Sequence, residues 1–388
     1  MQCIILKAKE KEGIVFNIRD LVDQLNQLTD PRDRRGKVYE LGSLLGMIFL
    51  AKLSGEDKPY SIYEWIRNRR TLFVKLFDLK KERTPCLNTI RTILTEVVLL
   101  DEFETMLNHY LLTQYGGQNS VLICIDGKTM RGTIPKGTKK GDHLVSAYLG
   151  EEGIVLKQVV VEAKKNEISA GPELLDQLHL KNKVVCADAM QTQRQFCLQV
   201  ISGGGDYLLF AKKNQPRLLA DIQQYFVPAR RAAGWHIPEL SQTIASSVNK
   251  GHGRIEQRTL TLMSDKDQFI DWPGLKQVFK LERHVEKLST GEKSTEIAYG
   301  LTSCGEEKAT AAQLLKWTRQ YWQIENGLHY RRDVTLGEDG TRISKTQFAQ
   351  AISIINNFVV GLTMKLGYSN LASARRIFDA SIALQLAN

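Results

Sequence analysis

The sequence VLICIDG at residues 121–127 marks the point at which the pattern of this 388-residue chain changes. It is an apolar, β-branched run that ends in Asp126 and Gly127, which is typical of a buried strand followed by a flexible turn. Two similar runs, HLVSAYLG (143–150) and IVLKQVVVEA (154–163), follow after polar segments. The three runs predict three strands joined by tight connections, and therefore the start of an α/β domain.

The next segments alternate between helix and strand patterns. ELLDQLHL (173–180) and TQRQFCLQVIS (192–202) have helical spacing, whereas VVCADAM (184–190) and YLLFAK (207–212) have the pattern of strands. The predicted order is βββαβαβ, which is the order of an RNase H-like core. We therefore predict an α/β fold built on such a core.

The rest of this domain shows two further patterns. Between residues 227 and 300, polar alternating segments such as GRIEQRTLTLMS, QVFKLERHVE and TEIAYGLTS predict strands, which we interpret as a β insertion. Apolar residues at steps of three and four then predict a last helix that packs against the sheet and carries Glu325 beside its apolar face. That face consists of Leu314, Trp317, Tyr321, Ile324 and Leu328.

The chain before the first strand predicts a separate, all-α domain. We place this N-terminal domain at residues 1–115 and the α/β domain at residues 116–388. The N-terminal domain contains an amphipathic helix, a break at TDPRDRRGK, an apolar helix at 41–53 and the segment SIYEWIRNRR. The apolar helix is shorter than the roughly 20 residues of a membrane span, so we expect it to be buried in the protein.

The segment CLNTIRTILTEVVLL (86–100) has two interpretations. It is compatible with the second helix of a helix-turn-helix, in which Asn88, Thr89 and Arg91 are available for DNA contact. It is equally compatible with a basic surface helix of a small bundle.

Composition narrows the class of protein. Lysine and arginine outnumber aspartate and glutamate by 53 to 43, a formal net charge of +10, which favours encounters with polyanions such as nucleic acid. The N-terminus lacks the apolar stretch and cleavage site of a signal peptide. The six cysteines lack the spacing of a disulfide framework or zinc ribbon, which predicts free thiols in a reduced cytoplasm.

Three acidic residues form the candidate catalytic set. Asp126 and Asp188 each end a predicted strand, and these two strands are neighbours in an RNase H-like sheet, so repulsion between the carboxylates calls for a cation. With Glu325 from the last helix they can bind two Mg²⁺ ions about 3.5–4 Å apart, or Mn²⁺ as a substitute, for phosphodiester chemistry. The alternative is that each acid is an ordinary surface carboxylate.

Other side chains accompany these acids. His329 and Arg332 follow Glu325 by four and seven residues, so we expect all three on nearly the same helix face. Cys124 and Cys186 precede the aspartates by two residues. We interpret them as buried core thiols rather than a soft-metal site, because no histidine or third thiol accompanies them.

Six long motifs in the second part of the chain are recognisable. They are IDGKTMRGT, KKNEISAGPELLDQLHL, ADAMQTQ, GGDYLLFAKKNQPRLL, GHGRIEQR and YWQIENGLHYRRDVTLGEDGTR. These motifs, and their order, resemble those of the ISAs-type, H-repeat-associated insertion-sequence transposases. LTDPRDRRGKVYELGSLLGMIFLAKLSG and WIRNRR resemble the helical segment that precedes the catalytic domain in that family, so the resemblance covers nearly the whole chain.

The resemblance implies a DDE transposase. Asp126 in DGK, Asp188 in ADAM and Glu325 in IEN would be the catalytic and metal-binding triad, with Mg²⁺ as the cofactor. The implied reaction is cleavage at the ends of an insertion element followed by strand transfer into target DNA. The implied partners are both DNAs and further copies of the chain, as a homodimer or higher oligomer on DNA. No membrane and no nucleotide cofactor are expected, and the implied location is the bacterial cytoplasm, in association with the nucleoid.

The resemblance also indicates DNA contacts. In the wider group of bacterial DDE transposases, Tyr and Arg precede the glutamate and Lys follows it by seven residues. In this chain Thr318 stands at the Tyr position, Tyr321 at the Arg position and Arg332 at the Lys position. Arg319 is a nearby substitute for the missing arginine. Trp322 could stack on a flipped base, although we favour core packing. Basic side chains near the motifs are predicted to bind phosphates, with solvated surface charge as the alternative. They are Lys128, Arg131, Lys212, Lys213, Arg254, Arg319, His329 and Arg332.

Two other functions remain compatible with the sequence. One is a metal-dependent DNA nuclease without strand transfer, and the other is an inactive, transposase-derived DNA-binding protein. Asp333, Glu338 and Asp339 are also available as supporting acids near Glu325. The chain has neither a nucleophile elbow nor a phosphate-binding loop of the GxxxxGK[ST] type, so serine hydrolase and NTPase activities are not indicated.

Overall fold

The computed structural model describes residues 4–9, 14–116, 120–134, 137, 141–161, 167–227, 242–266, 268–341 and 343–387. Internal contacts divide the chain into two compact units, each assembled from segments that are distant in sequence. Unit 1 comprises Met1–Ser120, Gly127–Ala163 and Glu325–Asn388, and unit 2 comprises Val121–Asp126 and Lys164–Ile324. Neither unit is therefore a single continuous stretch of chain.

The N-terminal third is helical, as the sequence predicts, but it begins with a small antiparallel sheet that the sequence analysis did not predict. This sheet pairs β1 (Ile5–Lys7) with β2 (Val15–Asn17). Within the described residues up to 116, the helices are α1 (Ile18–Leu25), α2 (Leu41–Leu53), α3 (Pro59–Asn68), α4 (Arg70–Leu76), α5 (Leu87–Thr92) and α6 (Leu100–Tyr115). The short helix α5 exposes Asn88 and Arg91, which fits both interpretations of this segment.

Helix α2 is buried around its whole circumference. All of its residues from Leu41 to Leu53 are buried, which explains why its sequence is apolar without a polar face. The prediction of a buried helix is thus confirmed. Among the described helices, none has both the length and the apolar composition needed to cross a bilayer.

The central segment follows the predicted order of strands and helices. Its elements are β3 (Leu122–Thr129), β4 (His143–Leu149), β5 (Ile154–Val161), α7 (Glu167–Leu175), β6 (Val184–Ala187), α8 (Arg194–Ser202) and β7 (Asp206–Ala211). Two boundaries were wrong: the strand predicted to end at Asp126 continues to Thr129, and the helix predicted at 173–180 begins at Glu167 and ends at Leu175. After Leu175 the chain tightens into turns with bonds between residues three apart, which reverse it toward β6.

The predicted β insertion consists of long antiparallel strands. After α9 (Pro216–Tyr225) they are β8 (Gln242–Gly251), β9 (Arg254–Ser264), β10 (Gln277–Lys287) and β11 (Lys293–Thr302). The three segments quoted from the sequence correspond to β9, β10 and β11, while residues 228–241 of the predicted insertion lie outside the described residues. Strand β11 pairs with β7, Tyr299 opposite Ala211, so the insertion continues the central sheet.

The described strands β3 to β11 form one mixed sheet with the order β5-β4-β3-β6-β7-β11-β10-β9-β8. Strand β3 belongs to both units, since its residues up to Asp126 lie in unit 2 and the rest lie in unit 1. Strands β3, β6 and β7 are parallel, with Cys124 opposite Cys186. The predicted pairing of the first and fourth strands of the core is therefore confirmed.

The C-terminal part is helical. It contains α10 (Ala311–Tyr321), two π-helical segments at Ile324–His329 and Arg331–Thr335, α11 (Thr346–Lys365) and α12 (Leu371–Ala387). All five residues of the predicted apolar face are buried, which confirms that face. Within unit 2, α10 packs on β6, β8 and β9.

Candidate active site

The pairing of β3 with β6 brings two of the predicted acids together. The parallel register places Ile125 opposite Ala187, and Asp126 and Asp188 are the next residues on the two strands. Both side chains are partly exposed. Two carboxylates therefore lie side by side just after the paired residues of neighbouring parallel strands. Asp188 follows the end of β6 as predicted, but the prediction that Asp126 ends its strand was wrong, because β3 continues to Thr129.

A lysine follows the third parallel strand at the same edge. Lys212 comes directly after β7, and its Nζ lies 3.2 Å from Oδ1 of Asp188. The two side chains are 65% and 44% exposed, so solvent screens the pair and it contributes little to stability. Its effect is local, because it offsets part of the negative charge at the strand ends.

Hydrogen bonds between two loops fix the positions of Asp188 and Lys212. The side-chain amide of Asn214 donates a hydrogen bond to the backbone carbonyl of Ala189 (2.7 Å). The side-chain amide of Gln215 donates one to the backbone carbonyl of Thr192 (2.9 Å). The Thr192 hydroxyl in turn donates to the carbonyl of Phe210 on β7 (2.7 Å). The motifs ADAMQTQ and AKKNQ thus form one hydrogen-bonded structure at the edge of the sheet.

Tyr321 is electrostatically coupled to both aspartates. Burial raises the pKa of its phenol strongly, and the negative charges of Asp126 and Asp188 raise it further. The phenol therefore stays protonated and can act as a hydrogen-bond donor. The sequence showed that Tyr321 belongs to an apolar helix face, but its proximity to the aspartates depends on how α10 packs on the sheet.

The cysteines behind the aspartates are core residues, as expected. Cys124 and Cys186 are fully buried on adjacent strands, and burial raises the pKa of both thiols far above the ordinary value. The five cysteines among the described residues are all free thiols, and Cys3 lies outside the described residues.

Glu325, the third predicted acid, lies in unit 1. It is exposed and belongs to the π-helical segment Ile324–His329, a rare geometry that is frequent at functional sites. Among the residues that the structure describes, no three His, Cys, Asp or Glu side chains are grouped as a metal site. The structure thus brings together Asp126 and Asp188 within unit 2, and the assignment of Glu325 as the third acid stays a prediction.

The expectation that His329 and Arg332 share a face with Glu325 was wrong. Both are buried whereas Glu325 is exposed. The chain here is π-helical, with hydrogen bonds between residues five apart, so the seven-residue spacing to Arg332 no longer returns to the same face. The Arg332 guanidinium donates two hydrogen bonds to Glu338 (2.6 and 2.8 Å) and one to Ser353 (2.6 Å). In this structure Arg332 and His329 do not face solvent, where DNA would bind.

Lys128 is also an internal residue rather than a surface cation. Its Nζ lies 2.5 Å from Asp333 and 3.3 Å from Asp339, and Glu338 is 3.7 Å away. The side chain is buried, so the predicted phosphate contact is not supported. The acids suggested as supporting groups for Glu325 instead neutralise Lys128 and Arg332.

The other predicted DNA-binding residues are exposed. They are Arg131, Lys212, Lys213, Arg254 and Arg319. Trp322 is 50% exposed, so the preference for core packing was wrong. It directly follows the end of α10, where the helix no longer covers it, and its ring meets that of Tyr321 edge to face.

Comparison with known proteins decides the family. The model of the family described as "Transposase DDE domain" matches residues 117–360, more than half of the chain. The chain belongs to this transposase family. A second model, described as "DDE_Tnp_1-associated", matches residues 22–111. The family inferred from the motifs is thereby confirmed.

Named relatives agree with this assignment. The chain is 31% identical to "Putative transposase YncI" of Escherichia coli O157:H7 over 354 aligned residues. The alignment covers 89% of this chain and 88% of the relative. It is 27% identical to "H repeat-associated putative transposase YhhI" of Escherichia coli (strain K12), over 89% of this chain and 91% of the relative. Among solved structures, a piggyBac transposase synaptic complex with hairpin DNA has a TM-score of 0.43 and 8% identity, over 95% of this chain and 78% of that one.

Proposed function

We propose that this chain is a DNA transposase that cleaves DNA at the ends of an insertion element and joins the freed ends to target DNA. The observation that carries the proposal is the meeting of Asp126 and Asp188 directly after the paired residues of two neighbouring parallel strands. Membership of the transposase family supports it. We further propose that β5-β4-β3-β6-β7 is the sheet of an RNase H-like core and that Glu325 is the third catalytic acid.

The donor set fits a hard divalent cation. Asp126 and Asp188 offer carboxylate oxygens, which Mg²⁺ and Mn²⁺ prefer, and two adjacent negative charges favour a cation between them. The exposed Lys212 offsets this charge only in part, because solvent screens it. When bound, a pair of such ions activates the attacking oxygen and stabilises the leaving oxygen of the phosphodiester.

Groups around the aspartates contribute binding and orientation. Lys212 and Lys213 follow β7 at the same edge, where they can contact phosphates next to the scissile bond. The neutral phenol of Tyr321 can donate a hydrogen bond toward the carboxylates without adding charge. Arg131 remains a candidate phosphate contact, whereas Lys128, His329 and Arg332 do not belong to this set.

Transposition also places demands on the rest of the chain. We propose that the helical N-terminal segment at residues 1–115 contributes to DNA binding and that residues 116–388 supply the catalytic acids. Two element ends must be held together for joining, so the active form would be a homodimer or higher oligomer on DNA. No nucleotide is required, because the cleaved phosphodiester supplies the leaving group.

Cleavage of labelled DNA that carries the flanking element's ends tests this function. With Mg²⁺ or Mn²⁺ we expect the unaltered chain to nick the DNA at the ends and to form joined products, and Asp188→Asn to reduce both to background. The control is Asp271→Asn, which makes the same change in the same unit at a side chain that is 94% exposed and paired with Arg194. It should cleave normally.

The other outcomes point to other functions. Binding without cleavage in either metal by the unaltered chain would indicate a DNA-binding protein without catalytic activity. Cleavage without joined products would indicate a nuclease. Normal cleavage by Asp188→Asn would exclude the proposed site.

A further inference from the structure

An arginine cluster lies on one face of the β8–β11 sheet in unit 2. Alternation along β9 places Arg254, Glu256 and Arg258 on the same face of that strand. The register places Arg283 of β10 opposite Arg258, so its side chain joins that face. Three guanidinium groups from two strands therefore surround one glutamate.

A fourth arginine comes from the helix that covers this face. Helix α10 packs on β8 and β9, and Arg319 donates a hydrogen bond to Oδ1 of Asn249 on β8 (2.9 Å). Asn249 is opposite Glu256 in the β8–β9 register. Arg319 thus joins the cluster from the helix, close enough for its charge to act on Arg258.

The carboxylates on this face neutralise only part of the positive charge. Glu256 is buried and pairs with Arg258 (2.8 Å) and Arg283, and Arg283 also pairs with Glu296 (2.9 Å). In the part of the chain that the structure describes, neither Arg254 nor Arg319 has a carboxylate partner, although both are exposed. The cluster therefore retains uncompensated positive charge at its surface.

The four guanidinium groups are close enough to repel one another. The pKa of Arg258 is lowered first by burial, which Glu256 opposes, and then by the charges of Arg319, Arg283 and Arg254. An anion bound among these groups would relieve that repulsion. Arginine is the side chain best suited to bind phosphate oxygens, because its planar group donates two parallel hydrogen bonds.

Buried polar atoms on β8 lie at the same place. The hydroxyl of Ser247 and the amide nitrogen of Asn249 are buried and have no hydrogen-bond partner within the described residues. Ser247 is opposite Arg258, and Asn249 is opposite Glu256. Leaving buried donors unpaired is unfavourable, so these two atoms favour a ligand with hydrogen-bond acceptors.

We propose that Arg254, Arg258, Arg283 and Arg319 form a binding site for a phosphate of the DNA backbone, with Glu256 fixing the spacing of the inner pair. The inference rests on the proposed function and extends it, since it assigns a DNA contact to the β insertion away from the catalytic aspartates. It adds Arg258 and Arg283 to the DNA-contacting residues. Such a contact contributes affinity that does not depend on base sequence.

The test is a salt titration of DNA binding by Arg254→Gln/Arg319→Gln. Both residues are exposed, so the fold should be retained, which thermal unfolding checks. With a duplex that carries the element's end, and without divalent metal, we expect affinity to fall by about tenfold or more. The slope of log K against log [salt] should decrease by about 1, because the contact with one phosphate is lost. An unrelated duplex should show the same decrease.

Lys293→Gln is the matched control. Lys293 is opposite Glu286 in the register, which places it on the other face of the same sheet, so the variant loses charge without touching the cluster. If the double variant equals this control in affinity and slope while the unaltered chain binds DNA, the arginine site is excluded and the proposed function stands. If the unaltered chain binds no DNA, the proposed function fails. If it prefers an RNA duplex of the same sequence, DNA is the wrong partner.

Discussion

Buried charged side chains surround Glu338 in unit 1. Its carboxylate accepts hydrogen bonds from Arg332 (2.6 and 2.8 Å) and Asn356 (2.9 Å), and Lys128 lies 3.7 Å away. Arg332 is wholly buried, so water cannot solvate its charge. A charge buried without a partner is costly, so Arg332 and Glu338 must stay paired. Their pairing holds the segment that follows Glu325 in its folded conformation.

Removing one member of this pair should therefore be costly. We expect Glu338→Gln to lower the free energy of unfolding by about 3–5 kcal/mol, because Arg332 stays charged in a buried site. Urea unfolding at neutral pH measures this. Glu292→Gln, which breaks the exposed Lys287–Glu292 pair, should change stability very little, because solvent screens that pair. Equal effects of the two variants would contradict the importance of burial.

The same carboxylate predicts a pH dependence. Although burial opposes it, the Arg332 charge lowers the pKa of Glu338 from 4.5 to about 2. Because the folded-state pKa lies below the unfolded one, the stabilisation is complete above about pH 4.5 and is lost as the pH falls toward 2. The stability difference between the unaltered chain and Glu338→Gln should therefore shrink across this interval. A constant difference from pH 7 to pH 3 would contradict the assigned pairing.

At the scale of elements, the junction of β11 with β7 connects the insertion to the central sheet. Gly300 of β11 is opposite Phe210 of β7. A Cβ atom at this position would lie 2.5 Å from the carbonyl oxygen of Leu209 and would overlap the ring of Phe279. The absence of a side chain at Gly300 is thus what allows the two strands and Phe279 to approach.

Gly300→Ala tests how tightly that junction is packed, because the substitution can either raise or lower the free energy of unfolding. Alanine in a strand should stabilise by about 0.5–1 kcal/mol relative to glycine, whereas overpacking should destabilise by about 1–3 kcal/mol. We expect destabilisation, measured by chemical unfolding. Gly251→Ala at the end of β8 meets open space, so it should be neutral or stabilising. Stabilisation by Gly300→Ala would show that the junction is loosely packed.

On the scale of the whole molecule, the N-terminal helices share their core with the C-terminal part of the chain. The ring of Phe358 on α11 lies 4.9 Å from that of Phe49 and 6.0 Å from that of Tyr110. Unit 1 accordingly includes residues 127–163 and 325–388 as well as the N-terminal helices. The division at residue 115 stays a prediction from sequence, and it can be tested directly.

A fragment of residues 1–115 should not fold as a stable domain. Without α11 it would expose the apolar surface that Phe358 covers around Phe49 and Tyr110. We expect helical far-ultraviolet dichroism, weak near-ultraviolet dichroism and no cooperative thermal transition. Cooperative unfolding with native-like aromatic signals would instead establish this segment as an independent domain.

The sequence by itself determined the order of the elements and the position of the two aspartates. Strand runs, the helical spacing of the apolar face and an acid directly after each apolar strand run are local patterns. Each can be recognised within a single segment, because the spacing of apolar residues follows the periodicity of the helix or strand that buries them. The parallel pairing of β3 with β6 followed from that order, and the motifs identified the family correctly.

Only the tertiary structure decided which charged and aromatic side chains face solvent. Lys128 and Arg332 lie in motifs that suggested DNA contact, yet they are buried against acids supplied by other turns of the chain. Trp322, expected in the core, is exposed because α10 ends just before it. The reason is physical: the burial of a long side chain depends on which distant segments pack over it, and its own neighbours in sequence do not contain that information.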